Sequence, residues 1–424
     1  MRRTMKMAAA ALTALALTAC GTGDADSNMA DERQQAVSKE SGSAEGKVSL
    51  TLWGAEEDQQ LLGQMAESFC QQYGGEADLD ITVAVQGESQ CRDVLLGDVL
   101  NGADVFAFAD DQLLALAASG ALLQVENADA VRSANVEEAS ASATIGERLY
   151  AFPMTADNGY FMYYNKQYYT DEDVKTLDSM LDIAAASEKK VTMDWTSGWY
   201  LYSFFGNTGM DFGLNEDGVT NFCNWNRTDG GVTGRDVAEA MLVISKNPGF
   251  ASATDAEFLD GVRSGNVIAG VSGVWNAASI KEMWGSDYGA VKLPTYTCNG
   301  QQIQMASFSG YKMVGVNAYS EHTDWAMKLA DWITNEENQK LRFTMRAQGP
   351  SNKKAADSDE VRQEPAIQAV LAQSEHAVLQ RVGNSYWEPV QKFGETMAAG
   401  NPEGQDIQEM LDKMVEGITA SVVR

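Results

Sequence analysis

Aromatic rings and acidic or amide side chains recur together in the loops that follow strand-like segments. Trp53 closes one such segment and is followed by Gly54, Ala55, Glu56 and Glu57; Phe108 closes another and is followed by Asp110, Asp111 and Gln112. "DWTSGWYLYSFFGNTG" supplies Asp194, Trp195, Trp199 and Tyr200, and "GNSYWEPV" supplies Tyr386 and Trp387. In "VIAGVSGVWNAAS", Val267 to Ser279, an apolar strand gives way to glycine and serine before Trp275 and Asn276. In open α/β sheets ligands bind beyond the carboxyl ends of strands, where these residues fall. Flat rings offer a stacking face, and carboxylates and amides accept from hydroxyls, a combination suited to a sugar. Trp275 is expected to be such a platform rather than a rim residue packed on a helix, whereas Trp53 reads as core.

Other chemistries lack their residues. The only histidines, His322 and His376, have no spacing for a metal pair or a catalytic triad. There is no dinucleotide-binding glycine motif opening a helix after a strand, no phosphate-binding P-loop and no nucleophile elbow. "DFGLNEDG" misses the calcium-loop spacing. Glu56 with Glu57, or Asp110 with Asp111, could be proposed as a glycosidase pair, but neighbouring loop carboxylates need not flank one bond. No enzyme, metal or cofactor is expected.

The elements positioning these loops begin with "KVSLTLWG", a strand, then "EEDQQLLGQMAESFCQQYGG", whose Leu61, Leu62, Met65, Phe69 and Tyr73 share a helical face. "LDITVAV" follows as a second strand, and "ADVFAFAD" as a third. Strand, crossover helix and strand imply parallel pairing and an α/β opening. "KVTMDW", "VIAGVSGVW", "YGAVKLP" and "YKMVGVN" continue the strands; "DWAMKLADWITNEENQKLRF" and "DIQEMLDKMVEGITASVV" carry apolar helical stripes.

The chain has 424 residues, 44% of them hydrophobic, enough for two or three cores. With 31 Lys plus Arg against 60 Asp plus Glu, its net charge of −29 disfavours nucleic acid and anionic surfaces as partners. "MRRTMKMAAAALTALALTAC" places Arg2, Arg3 and Lys6 before an apolar run too short to span a membrane ordinarily, an export signal in form. It ends at Leu17, Thr18, Ala19 and Cys20, which resembles the bacterial lipobox and implies a lipid-bearing Cys20 after cleavage. Residues 21–46 are small and polar, a tether. The remaining cysteines, Cys70, Cys91, Cys223 and Cys298, are even in number in an oxidising setting. Cys70 with Cys91 and Cys223 with Cys298 are the favoured pairings of the three possible, with free buried thiols as the alternative.

The order of elements, the lipobox and the segments "YAFPMTADNGYFMYYNK", "VIAGVSGVWNAASI", "SFSGYKMVGVNAYSEHTDWAMKLADWITNEENQ" and "YWEPV" resemble the maltose/maltodextrin-binding type of extracellular solute-binding protein, the receptors of ABC sugar importers. The resemblance, from about Lys47 onward, implies a two-lobed periplasmic-binding-protein-like fold that hinges shut on ligand. It implies lobes of 47–156 plus 311–359 and 157–310 plus 360–424, with crossings near Thr155, Ser309 and Asp359. The family's stacking tryptophan after the apolar strand looks like Trp275, and its C-terminal aromatic like Trp387. Its aromatic-x-x-Asp turn looks like Phe108 with Asp111, although the maltose-specific member has tryptophan and then arginine where Phe108 and Gln112 stand. The hinge-side glutamate is approached by Asp157 and Asn158, and the acid before the second-lobe tryptophan by Asp194 before Trp199. A lysine after the first strand is replaced by Glu56 or Glu57, which departs from maltose while keeping an oligosaccharide.

The expected protein is a monomeric, lipid-anchored receptor on the outer face of a bacterial membrane, passing an oligosaccharide to permease subunits. A receptor for a peptide or polyamine, whose cations suit these carboxylates, is the second reading; a cell-surface glycosidase is the third.

Overall fold

A ten-stranded sheet runs through the protein, with two of its strands serving both halves. Its members are β1 (Lys47–Gly54), β2 (Asp78–Val85), β3 (Val105–Ala109), β4 (Phe152–Asn165), β5 (Lys190–Met193), β6 (Phe250–Ser252), β7 (Val267–Gly273), β8 (Tyr288–Val291), β9 (Ser307–Val316) and β10 (Ala377–Leu379). The path is β6-β5-β7-β4-β9-β3-β1-β2, with β8 paired to β4 and β10 to β9. The computed structural model describes residues 46–215 and 217–421; Cys20, the signal-like segment and nearly all of the tether lie outside the described residues.

The outer parts of the sheet are parallel, β1 with β2 and β3 on one side and β5 with β6 and β7 on the other. The middle is antiparallel, β4 against both β7 and β9 and β9 against β3. Helical crossovers cover the parallel strands, so these read as apolar runs: all seven residues of β7 are buried. β1 alternates instead, turning Val48, Leu50 and Leu52 into the core.

Two main cores flank the crossing strands. One gathers residues from Val48 to Met154 and from Met313 to Ile333, including the amphipathic faces of the helices Gln59–Tyr73 and Thr323–Ile333. The other gathers residues from Tyr160 to Phe308 and from Tyr386 to Ile418. β4 gives Phe152 and Met154 to the first and Tyr160, Met162 and Tyr164 to the second; β9 gives Phe308 to the second and Met313, Val314 and Val316 to the first. The β4–β9 register shifts between Gly310 and Lys312 and again between Lys312 and Met313. The helix Glu336–Arg346 packs on both Gln59–Tyr73 and Ala277–Trp284, making a third passage between the halves, and the Ala156 N–H donates to the Gly349 carbonyl at 2.9 Å just beyond it.

A charged cluster ties this passage down. Asp58, 1% exposed, accepts from Arg342 and, at 3.0 Å, from Arg346, both on Glu336–Arg346. Burial alone would push the Asp58 carboxyl up, but Arg342, Lys312 and Arg346 overcome this and hold it below the usual carboxylate value.

The expected disulfides are not formed: Cys70, Cys91, Cys223 and Cys298 are free thiols. They stand on separate elements among partners of their own. Cys70 Sγ lies 3.9 Å from the Leu79 carbonyl, while Cys91 opens the next helix inside the core. Cys223 and Cys298 belong to different two-stranded hairpins. Burial pushes the Cys91 and Cys223 thiols up to about 12, so they pack as small apolar groups.

Two outcomes follow from this frame. Unreduced, denatured protein starting at Lys47 should yield four thiols with Ellman's reagent. Asp58→Ala leaves the buried Arg342 guanidinium and the partly buried Arg346 without their carboxylate and should lower stability in urea melts by about 3–5 kcal/mol at pH 7. Because the Asp58 carboxyl is depressed, its stabilisation is present above the unfolded-chain value and is lost as pH falls through the folded-state value, so the variant and the parent should converge in acid.

Candidate functional site

A cleft of about 1250 Å³ lies where the two cores face one another, larger than the roughly 300–1,000 Å³ of most small-molecule pockets. From the first-core side it is lined by Glu56, Glu57, Glu88, Arg92, Asp111 and Gln112; from the second, by Asp194, Trp199, Tyr200, Asp255, Trp275, Gln380, Arg381 and Trp387. Asn158 and Lys312, from the crossing strands, line it between these.

Trp275 sits on the single turn Val274–Asn276 between β7 and the helix Ala277–Trp284. Its indole folds back over the end of its own strand: a Cβ on Gly273 would lie 2.0 Å from the ring, so only glycine permits this pose. The indole N–H donates to Asp255 at 3.0 Å, and Lys312 Nζ lies 5.9 Å from the ring centre. Arg346, already bound to Asp58, donates to the Trp275 carbonyl at 3.4 Å, joining the two sides of the cleft.

Trp199 rides on the helix Gly198–Phe205, which starts just after β5. Phe308 stacks against it at 5.6 Å and 28°, and Tyr160 meets it edge-on at 5.4 Å while donating its hydroxyl to the Trp199 carbonyl. Asp194 accepts from the Thr196 N–H and hydroxyl at 2.8 and 2.6 Å, which turns the chain into that helix. Trp387 begins the helix Trp387–Ala398 and packs beside Gly198.

Two expected site residues are elsewhere. Phe108, wholly buried, points into the first core beside Phe106 rather than into the cleft. It lies within β3, one residue before the strand's end, with its ring beside Gly315 of β9. Tyr386 is also wholly buried: its hydroxyl donates to the Gly198 carbonyl at 2.8 Å and its ring meets Trp387 edge-on at 5.0 Å, so it backs Trp387. Trp195 is core, and Trp53 packs partly buried against the first core. Asn158 lines the cleft while its neighbour Asp157 turns away and accepts from the Gly349 N–H.

Gln112, wholly inside, donates to the Glu88 carbonyl at 2.6 Å and accepts from the Arg92 N–H at 2.8 Å, so it ties two loops together. Asp110 is buried, accepting from the Tyr311 N–H at 3.1 Å, with Arg381 Nη2 3.5 Å away. Gly310 is needed there, since a Cβ would come within 2.6 Å of the Asp110 carboxylate. Asp111 accepts from Gln380 at 3.1 Å. Burial, then the adjacent Asp110 charge, pushes the Asp111 carboxyl up to about 7; burial pushes Asp110 up to about 6.

Asp255, Lys312, Gln380 and Arg381 escape a reading of the sequence. Only Asp255 carries a local signal, the Thr254-Asp255-Ala256-Glu257 capping box that starts its helix. Lys312 sits inside a strand pattern, where burial works against its charge and Glu88 at 3.4 Å, Asp58 and Asp157 outweigh that cost.

A raised carboxyl binds protons more tightly in the folded state, so its penalty on stability is absent below pH 4 and complete above about pH 7. Asp111→Asn, which keeps an acceptor for Gln380, should raise Tm by a few °C at pH 8 without ligand, and the gain should vanish towards pH 4 in differential scanning calorimetry.

The family described as bacterial extracellular solute-binding protein matches residues 64–369. A galactooligosaccharide-binding protein of Bacillus subtilis is 25% identical over 432 residues, 96% of this chain and 94% of its own. A maltooligosaccharide ABC transporter solute-binding lipoprotein of Streptococcus pneumoniae is 24% identical, over 88% and 86% of the two chains. Among solved structures, one determined with acarbose aligns at a TM-score of 0.78 and 28% identity, covering 88% of this chain and 99% of that one. A maltodextrin-binding protein from L. casei BL23, without ligand, aligns at 0.72 and 24%, covering 89% and 100%. With an α/β frame of two cores about one cleft, the chain belongs to the bacterial extracellular solute-binding proteins and has their two-lobed, periplasmic-binding-protein-like fold.

Proposed function

We propose that this chain is the receptor of an ABC importer, a non-catalytic protein that captures an oligosaccharide of the maltodextrin kind. The observation that carries the reading is the convergence of Trp199, Trp275 and Trp387, each half-buried, on one cleft that also presents Glu56, Glu57, Asp111, Asp194 and Asn158. Half-burial holds a ring rigid while leaving a face for a sugar ring, and the carboxylates and amide accept from its hydroxyls. Relatives named for galactooligosaccharides and maltooligosaccharides support the ligand class.

Capture needs closure. The lobes are assigned as 47–156 with 311–359 and 157–310 with 360–424, moving about β4, β9 and the third passage. The shifted β4–β9 register around Lys312 supports a pliable point there. Lipid attachment at Cys20 and a tether over 21–46 would hold a monomer at the outer membrane face beside its permease; the relative named as a lipoprotein supports this.

One feature favours a ligand with a basic group as the second reading. Arg92, Lys312 and Arg381 each have a carboxylate partner within the protein, while Glu56 and Glu57 are exposed at the rim.

In thermal-shift and calorimetric titrations of protein starting at Lys47, maltotriose or longer maltodextrins should raise Tm. Trp275→Ala and Trp387→Ala should each weaken binding by about 10–100-fold, as for buried aromatic anchors. A shift with spermidine and none with maltodextrins, xylo- or manno-oligosaccharides would establish the second reading instead.

A further inference from the structure

Asp255 is the first residue of the helix Asp255–Arg263, fixed by the box in which Thr254 accepts from the Glu257 N–H and Glu257 accepts from the Thr254 N–H at 2.9 Å. Its carboxylate is thereby delivered beneath the Trp275 turn. Oδ2 accepts from the Trp275 indole N–H at 3.0 Å; Oδ1 accepts from the Ser272 hydroxyl at 2.7 Å and the Tyr200 hydroxyl at 3.3 Å. Asn276 donates in turn to Ser272 at 2.9 Å, so the acid holds the end of β7 and the Trp275 turn together.

We propose that Asp255 is a positioning residue, which sets the plane of the Trp275 indole for ligand stacking rather than binding the ligand itself. The proposal rests on the reading of Trp275 as a platform. An indole is hinged at χ2, a broad torsion with no steep staggered well. Gly273 gives the ring room to lie over the strand end but supplies no direction. The indole has a single N–H donor, and that donor is fixed by Asp255. With donors from three side chains on its two oxygens, the carboxylate has little accepting capacity left for a ligand. Buried surroundings strengthen each of these bonds. Through Tyr200 the same acid reaches the helix that carries Trp199, so two of the three cleft tryptophans are referenced to one carboxylate.

The test is a double-mutant cycle on maltodextrin affinity, with indole resonances read in ¹⁵N-tryptophan-labelled protein. Asp255→Ala should weaken binding by about 10-fold or more, and Asp255→Asn should stay within about threefold of the parent. Asparagine still accepts the indole N–H while the two hydroxyls turn to accept from its amide. In a Trp275→Phe background, which keeps a ring but has no N–H, Asp255→Ala should cost no more than about twofold. Without any ligand, the Trp275 indole resonance, identified by its loss in Trp275→Phe, should move in Asp255→Asn, because a charged acceptor becomes a neutral one; this reading holds even if Asp255→Ala fails to fold. An unmoved resonance, or an equal loss in the phenylalanine background, would overturn the positioning role and leave the platform intact. Unchanged affinity in Trp275→Ala would overturn the platform, and with it the inference.

Discussion

The two sides of the cleft are joined through one antiparallel pair, β4 with β9, and through the third passage at the helix Glu336–Arg346. Each of these strands begins in one core and ends in the other, so the two cores cannot separate, yet only a few residues join them. Where the pair passes under the cleft its register shifts at Lys312, and backbone groups left out of the ladder find other partners: the Tyr311 N–H of β9 donates to Asp110, and the Ala156 N–H of β4 donates to the Gly349 carbonyl. The polar residues of the crossing are therefore part of its structure. They satisfy an irregular backbone and, by doing so, set the floor against which Asn158 and Lys312 are presented.

The rings in the cleft depend on that floor through a chain of backing contacts. Trp199 lies on Phe308 of β9, Trp387 on Tyr386, and Trp275 on its own strand end with Lys312 beyond it. Phe308 and Tyr386, which back Trp199 and Trp387, do not line the cleft, whereas Lys312 and Asp255, the partners of Trp275, do. This division follows from the physics of stacking: a platform contributes only if its orientation is already settled before binding, since ordering it afterwards would cost entropy.

Charge follows a similar division. The cleft cations are paired with protein carboxylates, and Arg346 spans from Asp58 to the Trp275 carbonyl. The carboxylates are of two kinds: Glu56 and Glu57 stay hydrated at the rim, while Asp110 and Asp111 are desolvated together and pushed up into the neutral range. In a chain of net charge −29, abundance alone does not distinguish the second kind from the first.

Much of the frame was legible in the residues. Strand–helix alternation announced the parallel pairing of the opening strands, the apolar run before Trp275 announced a buried strand, and small polar residues after it announced a loop at the strand's end. Those features are local, set by pleat, helical period and turn chemistry within a few residues of one another. Trp275, Trp199, Trp387, Asp111, Asp194, Glu56 and Glu57, named from such loops, line one cleft, and so does Asn158, which only the family resemblance pointed to. What only the tertiary structure decided is which side of a given residue is covered. Phe108 ends a strand just as Trp53 does, and Tyr386 adjoins Trp387, yet side chains from elsewhere in the chain, such as Phe212 and Phe308 about Tyr386, leave both wholly buried. The cysteines were even in number, but pairing depends on where their elements pack, and all four stand as free thiols. Asp255 stands 20 positions before the indole it binds and Lys312 lies 224 from its Glu88 partner; such meetings are products of the β4–β9 crossing and the packing about it, and no periodicity in the chain encodes them.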